Sequence, residues 1–589
     1  MPQIRVARVV PDVTGVDKTF DYLIPDELVD SLHLGMRVRV PLHGRNVAGW
    51  VVDIGEPSVG LAISKLRAVL KVLGLGPNQE IIDLAQWASK RWVGRLRSFI
   101  SASAAKTLIS KVPIARYSSH NLKYSLPIAD EIMRLGGGLL TVSPLEDLAP
   151  VISALASGRQ TIVVVPTQHR ARLLAASLKS NGFSVALWPQ EWASALGGVD
   201  LVVGTRSVIW APVNRLSMIV VVDEHDDLLQ EERSPTWHAR DVAIERAHRA
   251  GALCVLLSPT PSQVARNWAG SRVVDLPATQ PQYSWPKIDI LDRNQDEKWS
   301  TSLISSELIS ELRDTTRRVV CVYNTKGRAR LIACGSCRTI FRCEQCDAAV
   351  TQRDRTTLEC PRCALTRPVV CQSCGSSSCA LLKPGVSRLR EELQAAANRD
   401  VEEVTSGTTA DSTPGSREVN QRLDVFIGTE AVLHRVQSAD TVVFLDIDAE
   451  LLAPRYRASE LVATLIVHAA RLVGSSTKDP RILIQTHTPD NELLTGLSTG
   501  NLDAYSASEQ LRRRLLKFPP FGALAEVTGA GTQAFLESLG SSLLVQTVVK
   551  DATHGLVRAQ SWQELSEILL TTNRPAKSRL SIHVDPPRV

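Results

Sequence analysis

Five apolar runs, most of them followed by a polar stretch with helical spacing, organise the middle of the chain. Between residues 137 and 290 they read "LLTV", "TIVVVP", "DLVVGT", "SMIVVVDE" and "LCVLLSP". None alternates with polar residues, so each is expected to be buried on both faces, as strands of a parallel sheet are. Helical patterns between several of them predict a doubly wound α/β lobe. A second series starts at "RRVVCVYNTKG", breaks at a cysteine-rich stretch, resumes through "DVFIGT", "TVVFLDID" and "RILIQTH", and predicts a second lobe over 291–490. Residues 1–105 have another rhythm. "IRVARVV", "TFDYLIP", "MRVRVPL" and "VAGWVVDI" are short β-rich runs, and "NQEIIDLAQWASKRW" then puts Ile81, Leu84, Trp87 and Ala88 on one helix face. Residues 106–136 show little periodicity and read as a linker, 491–589 as an α+β tail, and "TSGTTADSTPGS" (405–416) as a mobile loop.

The fold class expected is therefore α/β: two doubly wound lobes with an insertion in the second, a small β-rich N-terminal domain and an α+β C-terminal domain. Composition changes this little. The 589 residues are 44% hydrophobic and 22% charged, as in soluble globular chains. No apolar run is long enough for a membrane span, and "MPQIRVARVV" has no signal-peptide core, so a cytoplasmic chain is expected. The net charge of +6 favours a polyanionic partner only weakly.

The cysteines change the picture more. Eight of eleven fall within 41 residues as four C-x-x-C pairs: Cys334/Cys337, Cys343/Cys346, Cys360/Cys363 and Cys371/Cys374. In a cytosolic chain this pattern points to metal rather than disulfides. One such turn presents two thiolates, and two turns complete a tetrahedral four-thiolate zinc site. The thirteen residues between Cys346 and Cys360 can form a ribbon hairpin that joins the inner pairs. Nested pairing is favoured over sequential or crossed pairing: one zinc on Cys334, Cys337, Cys371 and Cys374, the other on Cys343, Cys346, Cys360 and Cys363. Closed four-thiolate sites leave no position for water, so both zincs are expected to be structural. Arg338, Arg342, Arg353, Arg355, Arg362 and Arg367 around the pairs suit a nucleic-acid or protein contact, or a solvated basic face.

"IVVVDEHDDLL" (219–229) ends a buried strand in Asp223-Glu224, where motor ATPases hold magnesium. Its partner would be a loop G-x-x-x-x-G-K-[ST], but the sequence holds no Gly-Lys dipeptide. After "LLTV" stands "SPLEDLAPV", in which Ser143, Pro144 and Glu146 read as an N-cap, first helical residue and capping box. Glu146 and Asp147 also bring negative charge to the place where phosphate would bind. The competing reading of Asp223-Glu224 is a strand end leaving the sheet, with Asp capping the next helix.

The order of motifs resembles the PriA family of primosomal proteins, superfamily-2 helicases in their active members. "VVGTRSVIWAP" is similar to its GTRS segment, "VVVDEHDDLLQEERSPTWHARDVAIERA" to its DEEH and ARD segments, and "LLSPTPS" to its S-A-T-P motif. "VVCVYNTKGRAR" precedes an eight-cysteine insertion with the family's spacing. "VFIGTEAVLHRV", "VVFLDIDAELLAPRYRASE", "LIQTHTPDN" and "LLKFPPFG" follow in the family's order, and "TFDYLIP" and "RVRVPL" resemble its domain for the 3′ end of a nascent strand.

Against that pattern the Walker lysine is missing, and D-E-E-H has become Asp223-Glu224-His225-Asp226. "HAARLVGSS" keeps one arginine, Arg471, of the last helicase motif, and 106–136 is too short for the family's winged helix. The resemblance thus implies two RecA-like lobes that no longer unwind DNA, with no catalytic residues, Asp223 and Glu224 as remnants, two Zn²⁺ and no ATP or Mg²⁺. The other reading is an active ATP-dependent 3′–5′ helicase with a divergent nucleotide site. The resemblance places the 3′-end pocket at Phe20, Asp21 and Arg67, with Lys65 as the alternative basic residue. On the residues alone, Phe20 reads as core and Asp21 as a turn. The implied partners are forked or branched DNA, primosome proteins, the replicative helicase or its loader, and single-stranded-DNA-binding protein, engaged by a nucleoid-associated monomer. Arg512, Arg513, Arg514 and Lys517 form a basic patch for phosphates or a solvated helix face.

Overall fold

The computed structural model describes residues 5–16, 18–58, 63–118, 125–280, 284–295, 302–324, 332–337, 339–354, 356–381, 386–404, 419–476, 478–540, 544–575, 578–586 and 588–589. The expected loop 405–416 and the positions of Arg338 and Arg355 lie outside them.

All five apolar runs of the first lobe are strands of one seven-stranded sheet, parallel at every junction. In spatial order the strands are Val273–Asp275, Gly138–Thr141, Leu253–Ser258, Leu216–Val222, Gln160–Val164, Leu201–Gly204 and Val185–Leu187. The two outermost, three residues each, escaped the apolar-run criterion. Alternate residues of Leu216–Val222 enter two different apolar clusters, one on each face: Ile219 and Val221 in one, Met218, Val220 and Val222 in the other. Burial on both faces is why the run carries no polar residue past Ser217.

The second lobe is a six-stranded sheet, again parallel throughout, in the order Lys287–Asp292, Arg481–Thr486, Thr441–Phe444, Val319–Val322, Val425–Gly428, Val401–Val404. Lys287–Asp292 pairs with Arg481–Thr486, so the chain enters the second sheet before residue 291. Helix Ala458–Val473 covers this sheet and faces the first lobe.

The N-terminal domain is a five-stranded antiparallel sheet in the order Phe20–Leu23, Val6–Pro11, Arg45–Gly55, Arg37–Leu42, Lys71–Gly74. Helix Gln79–Arg91 follows, with Ile81, Leu84 and Ala88 buried. The arginine of buried Arg246 reaches Glu80 on this helix through two parallel bonds of 2.8 and 2.9 Å and so fastens the domain to the first lobe. Segment 106–136 is laid along the molecule: Leu75 N–H donates to Ile109 O (2.7 Å), and Arg116 N–H to Gly198 O (2.8 Å). Its helix Pro127–Arg134 buries Ala129 and Ile132 in the first lobe's core.

The C-terminal domain is a four-stranded antiparallel sheet, Val545–Asp551, His554–Ala559, Ala523–Thr528 and Ser581–Val584, with helices Thr532–Leu539 and Trp562–Thr571. It packs back on the front of the chain. Phe535, Val557, Leu565 and Val584 share an apolar cluster with Ile81, Trp92 and Phe99. The Arg91 guanidinium lies between Trp92 and Trp562, 4.9 and 3.9 Å from their ring centres. Among the described residues, no helix is long and apolar enough to cross a membrane.

Candidate functional site

Four places were singled out by the sequence: the cysteine insertion, the acidic strand end with the loop facing it, the first strands and the basic patch of the tail.

The insertion projects from the second lobe between short strands Ile332–Cys334 and Cys379–Leu381. Its eight thiols converge in two groups, Cys334/Cys337/Cys371/Cys374 and Cys343/Cys346/Cys360/Cys363, each with all four sulfurs within 4.8 Å of one another. This is the nested pairing. Cross-pair sulfur distances run from 3.4 to 3.6 Å. Tetrahedral bonds of about 2.3 Å would set them about 3.8 Å apart, so the groups fit a metal ion after a small expansion. Each pair sits on a turn whose backbone N–H groups face sulfur. The Cys360 thiol is pulled down to about 5, first by its bond to Cys346, then, against burial, by the amides of Cys363 and Arg362.

The arginines here are structural in part. Arg362 donates to Cys346 O (3.0 Å) and to Ala453 O (3.1 Å), and also reaches Arg455 O, docking the inner group onto the second lobe. Ala349 N–H adds a bond to Leu452 O (2.8 Å). Arg367 lies over Phe341 and donates to Val370 O, and Arg342 pairs with Asp347. A single basic face is not what these three form.

At the acidic strand end, the chain leaves strand Leu216–Val222 through Asp223 at φ 55°, a left-handed conformation that aspartate tolerates better than most residues. Both carboxylates are buried and occupied. Asp223 takes Arg471 Nη2 at 2.6 Å and also pairs with Arg170. Burial would push its carboxyl up; Arg170 and Arg471 more than offset that and hold it well below the usual range. Glu224 accepts from Ser262 N–H (2.7 Å), Ser262 Oγ (2.8 Å) and Arg240 Nη1 (3.1 Å). His225 Nδ1 lies 2.8 Å from Ser258 Oγ, and Asp226 caps the short turn Asp227–Leu229. So an Asp does cap the next element, but it is Asp226.

The loop after strand Gly138–Thr141 differs from the expected capping box. Ser143 is not the cap: helix Leu148–Ala156 starts later, and Asp147 accepts from Ala149 N–H (3.0 Å). Residues 143–146 form a turn, closed by Glu146 N–H on Ser143 O. Proline at 144 permits that turn, and Glu146 is drawn away to Thr279, at 3.0 Å to its N–H and 2.5 Å to its hydroxyl. Arg471 Nε also donates to Pro144 O (3.1 Å), so one guanidinium spans this loop and Asp223.

In the N-terminal domain Phe20 is half-buried against the sheet's apolar core and Asp21 lies in a strand, not a turn. The Asp21 side chain is only 5% exposed; it accepts from Ser58 N–H (2.8 Å) and pairs with Arg8 Nε (3.4 Å) directly across the ladder. Arg8 was missed by sequence reading, although an Arg opposite an Asp becomes visible once strand register is known. Arg67 is exposed, its carbonyl accepting from Leu23 N–H (2.9 Å). Arg39, Lys65 and Lys71 are exposed too, Arg39 opposite Lys71 in the ladder. A cleft of about 340 Å³ opens just ahead of Phe20, lined by Val16, Lys18, Thr19, Leu96 and Arg97.

The basic patch of the tail is partly dismantled. Arg513 is buried between Glu509 (2.7 Å) and Glu460 (3.1 Å), Arg512 pairs with Glu509, and Arg514 lies over Phe521.

Residues 8–104 match the family model of the PriA 3′DNA-binding domain (3′BD). The chain is similar to replication restart protein PriA of Rickettsia conorii, 25% identical over 571 residues that cover 90% of this chain and 88% of that one. It is 27% identical to that of Bacillus subtilis over 409 residues, 65% of this chain and 51% of that one. It is 26% identical to the probable replication restart protein PriA of Mycobacterium tuberculosis over 435 residues, 65% of each. Among solved structures, yeast Dbp5 bound to RNA and ADP BeF3 has a TM-score of 0.35 at 12% identity, covering 66% of this chain and 93% of that one.

Two parallel-sheet lobes, with a cysteine module set into the second, thus follow a domain that matches the 3′DNA-binding model, the class of a multidomain DNA-binding protein. Residues 8–104 carry the PriA 3′DNA-binding domain pattern, and most of the chain is similar to replication restart proteins PriA.

Proposed function

We propose that this protein recognises stalled or abandoned replication forks and promotes reloading of the replicative helicase without ATP-driven unwinding. The observation that carries the second half is the occupancy of the strand-end carboxylates. Magnesium would need oxygen atoms of Asp223 or Glu224. Those of Asp223 face two arginines and those of Glu224 face Ser262 and Arg240. No lysine stands in the 143–147 loop, and Asp147 already fills the helix end that phosphate would use. Mg²⁺–ATP does not fit this arrangement, and no step is assigned to it.

The first half rests on the N-terminal domain. A 3′ end is taken at Phe20, Asp21 and Arg67, the base against Phe20 and the terminal hydroxyl donating to Asp21. Arg8 and Ser58 N–H hold that carboxylate in place and leave part of its acceptor capacity free. Arg39, Lys65, Arg67 and Lys71 supply charge for the backbone. Cys334, Cys337, Cys371 and Cys374 would hold one Zn²⁺, and Cys343, Cys346, Cys360 and Cys363 the other, fixing the insertion as a rigid surface. Primosome proteins, the helicase or its loader, and single-stranded-DNA-binding protein are the partners of this reading, which takes the protein as a cytoplasmic, nucleoid-associated monomer.

Two measurements test it. Filter binding is expected to show salt-dependent preference for a fork with a 3′ end over plain duplex; equal affinity sinks the fork reading. ATP hydrolysis with single-stranded or forked DNA is expected to stay at background. Turnover abolished by Asp223→Ala would instead establish an active helicase.

A further inference from the structure

Helix Ala458–Val473 is apolar except for Ser459, Glu460, Thr464, His468 and Arg471. The last four recur every three or four residues and therefore share one face. That face lies on the first lobe, and each of the four makes a contact there. Glu460 accepts from Gln263 N–H (2.8 Å), at the start of helix Gln263–Ala269. Thr464 Oγ1 lies 3.4 Å from His225 O. His468 Nε2 lies 3.0 Å from Asp226 Oδ2. Arg471 reaches Asp223 and Pro144 O. One turn on, a Cβ added to Gly474 would stand 2.4 Å from Leu145 Cδ2, so the Leu145 side chain of the first lobe packs directly on the Gly474 backbone. Arg457, at the other end, donates to Gln230 Oε1 (3.2 Å).

We infer that this stripe is a clamp that holds the two lobes shut in the absence of any nucleotide. Lobes that close around a ligand are drawn together by it and part when it leaves. Here the chain itself makes the bridge, from Gln230 to Leu145, along the whole length of one helix. Arg471 is its centre: it ties a strand end, a loop and a helix of two lobes through one guanidinium. The clamp extends the reading of this site as nucleotide-free and gives the lobes a single state, a fixed platform from which the DNA-binding domain and the cysteine module project. Glu460 is itself held by Arg513 and Arg457, so the clamp also fixes helix Asp503–Leu515 and the start of the C-terminal domain.

Hydrogen exchange on the full-length protein tests the clamp. In the wild type, amides of 458–473 and 223–229 are expected to exchange at the same rate with and without millimolar ATP and Mg²⁺. Arg471→Ala is expected to speed them by on the order of tenfold or more, the loss of charge-assisted bonds, while strands of the N-terminal sheet stay unchanged. His468→Ala is expected to act in the same direction, more weakly. If Arg471→Ala does not fold, Arg471→Lys carries the test, since its ammonium cannot span both partners. Wild-type exchange in either Arg471 variant, or a wild-type response to ATP, overturns the clamp. The outcomes also separate the two readings. Absent ATP turnover with wild-type exchange in the variants removes the clamp alone; turnover with unresponsive lobes removes the nucleotide-free reading and leaves the clamp.

Discussion

Two regions of this protein carry residues of the kind that bind metal, and they have opposite internal chemistry. In the cysteine module the sulfurs of each group face one another, with backbone amides behind them. Four thiols so placed crowd one another's sulfurs, and a cation satisfies all four together. At the strand end, two buried carboxylates face arginines, a serine and amide groups, and a cation would have to displace them. Residue type alone does not distinguish a residue free to take a metal from one already paired. Whether the chain has already supplied the counter-charge does.

The contrast can be broken most forcefully at the module. Chelation, or Cys346→Ser with Cys360→Ser, is expected to unfold it, with two zinc ions per chain lost on full chelation; structural zinc contributes about 10 kcal/mol or more to such folds. Metal analysis together with exchange of residues 332–381 reads this, and a module that stays folded without metal would refute the first half of the contrast. Next comes Arg240→Ala, which strands Glu224 as a buried charge and is expected to cost about 3–5 kcal/mol in denaturant melts. Third is Glu460→Gln. Burial would raise this carboxyl, but Arg513 and then Arg457 pull it down to about 2. A lowered carboxyl stabilises above its unfolded value of about 4.3 and loses that as pH falls toward the folded value. Wild type should therefore exceed Glu460→Gln by about 3 kcal/mol at pH 7, and the gap should close between about pH 5 and pH 2. A gap independent of pH points to packing instead. The smallest effect is expected of Asp223→Asn, about 1–2 kcal/mol, because Arg170 and Arg471 are partly exposed and can turn to water. Fork binding should not change.

Much of this was legible in the sequence, for particular reasons. Strand Leu216–Val222 was readable because both its faces are buried. Lys287–Asp292 was not, since it is an edge strand with a charged residue at Lys287, Asp289 and Asp292. The cysteine pairing followed from spacing, because a hairpin of thirteen residues leaves little choice of partner. Arg170 could not be connected with Asp223, 53 positions away, before the sheet order brought their strand ends together. The burial of Arg513 was legible only in part: Glu509 stands four residues before it on the same helix, but Glu460 lies on another. The polar stripe of helix Ala458–Val473 was available as a signal: four polar residues on one side of an otherwise apolar helix call for a polar partner.

The Arg91 stack has a consequence for the order in which the molecule is made. Helix Gln79–Arg91 is synthesised well before Trp562, Leu565 and Val584, which complete its surroundings. Its apolar face must wait through almost five hundred residues of translation, or be covered meanwhile by something else. A ribosome stalled before residue 560 would therefore hold a chain whose DNA-binding domain is complete in sequence and open on one side.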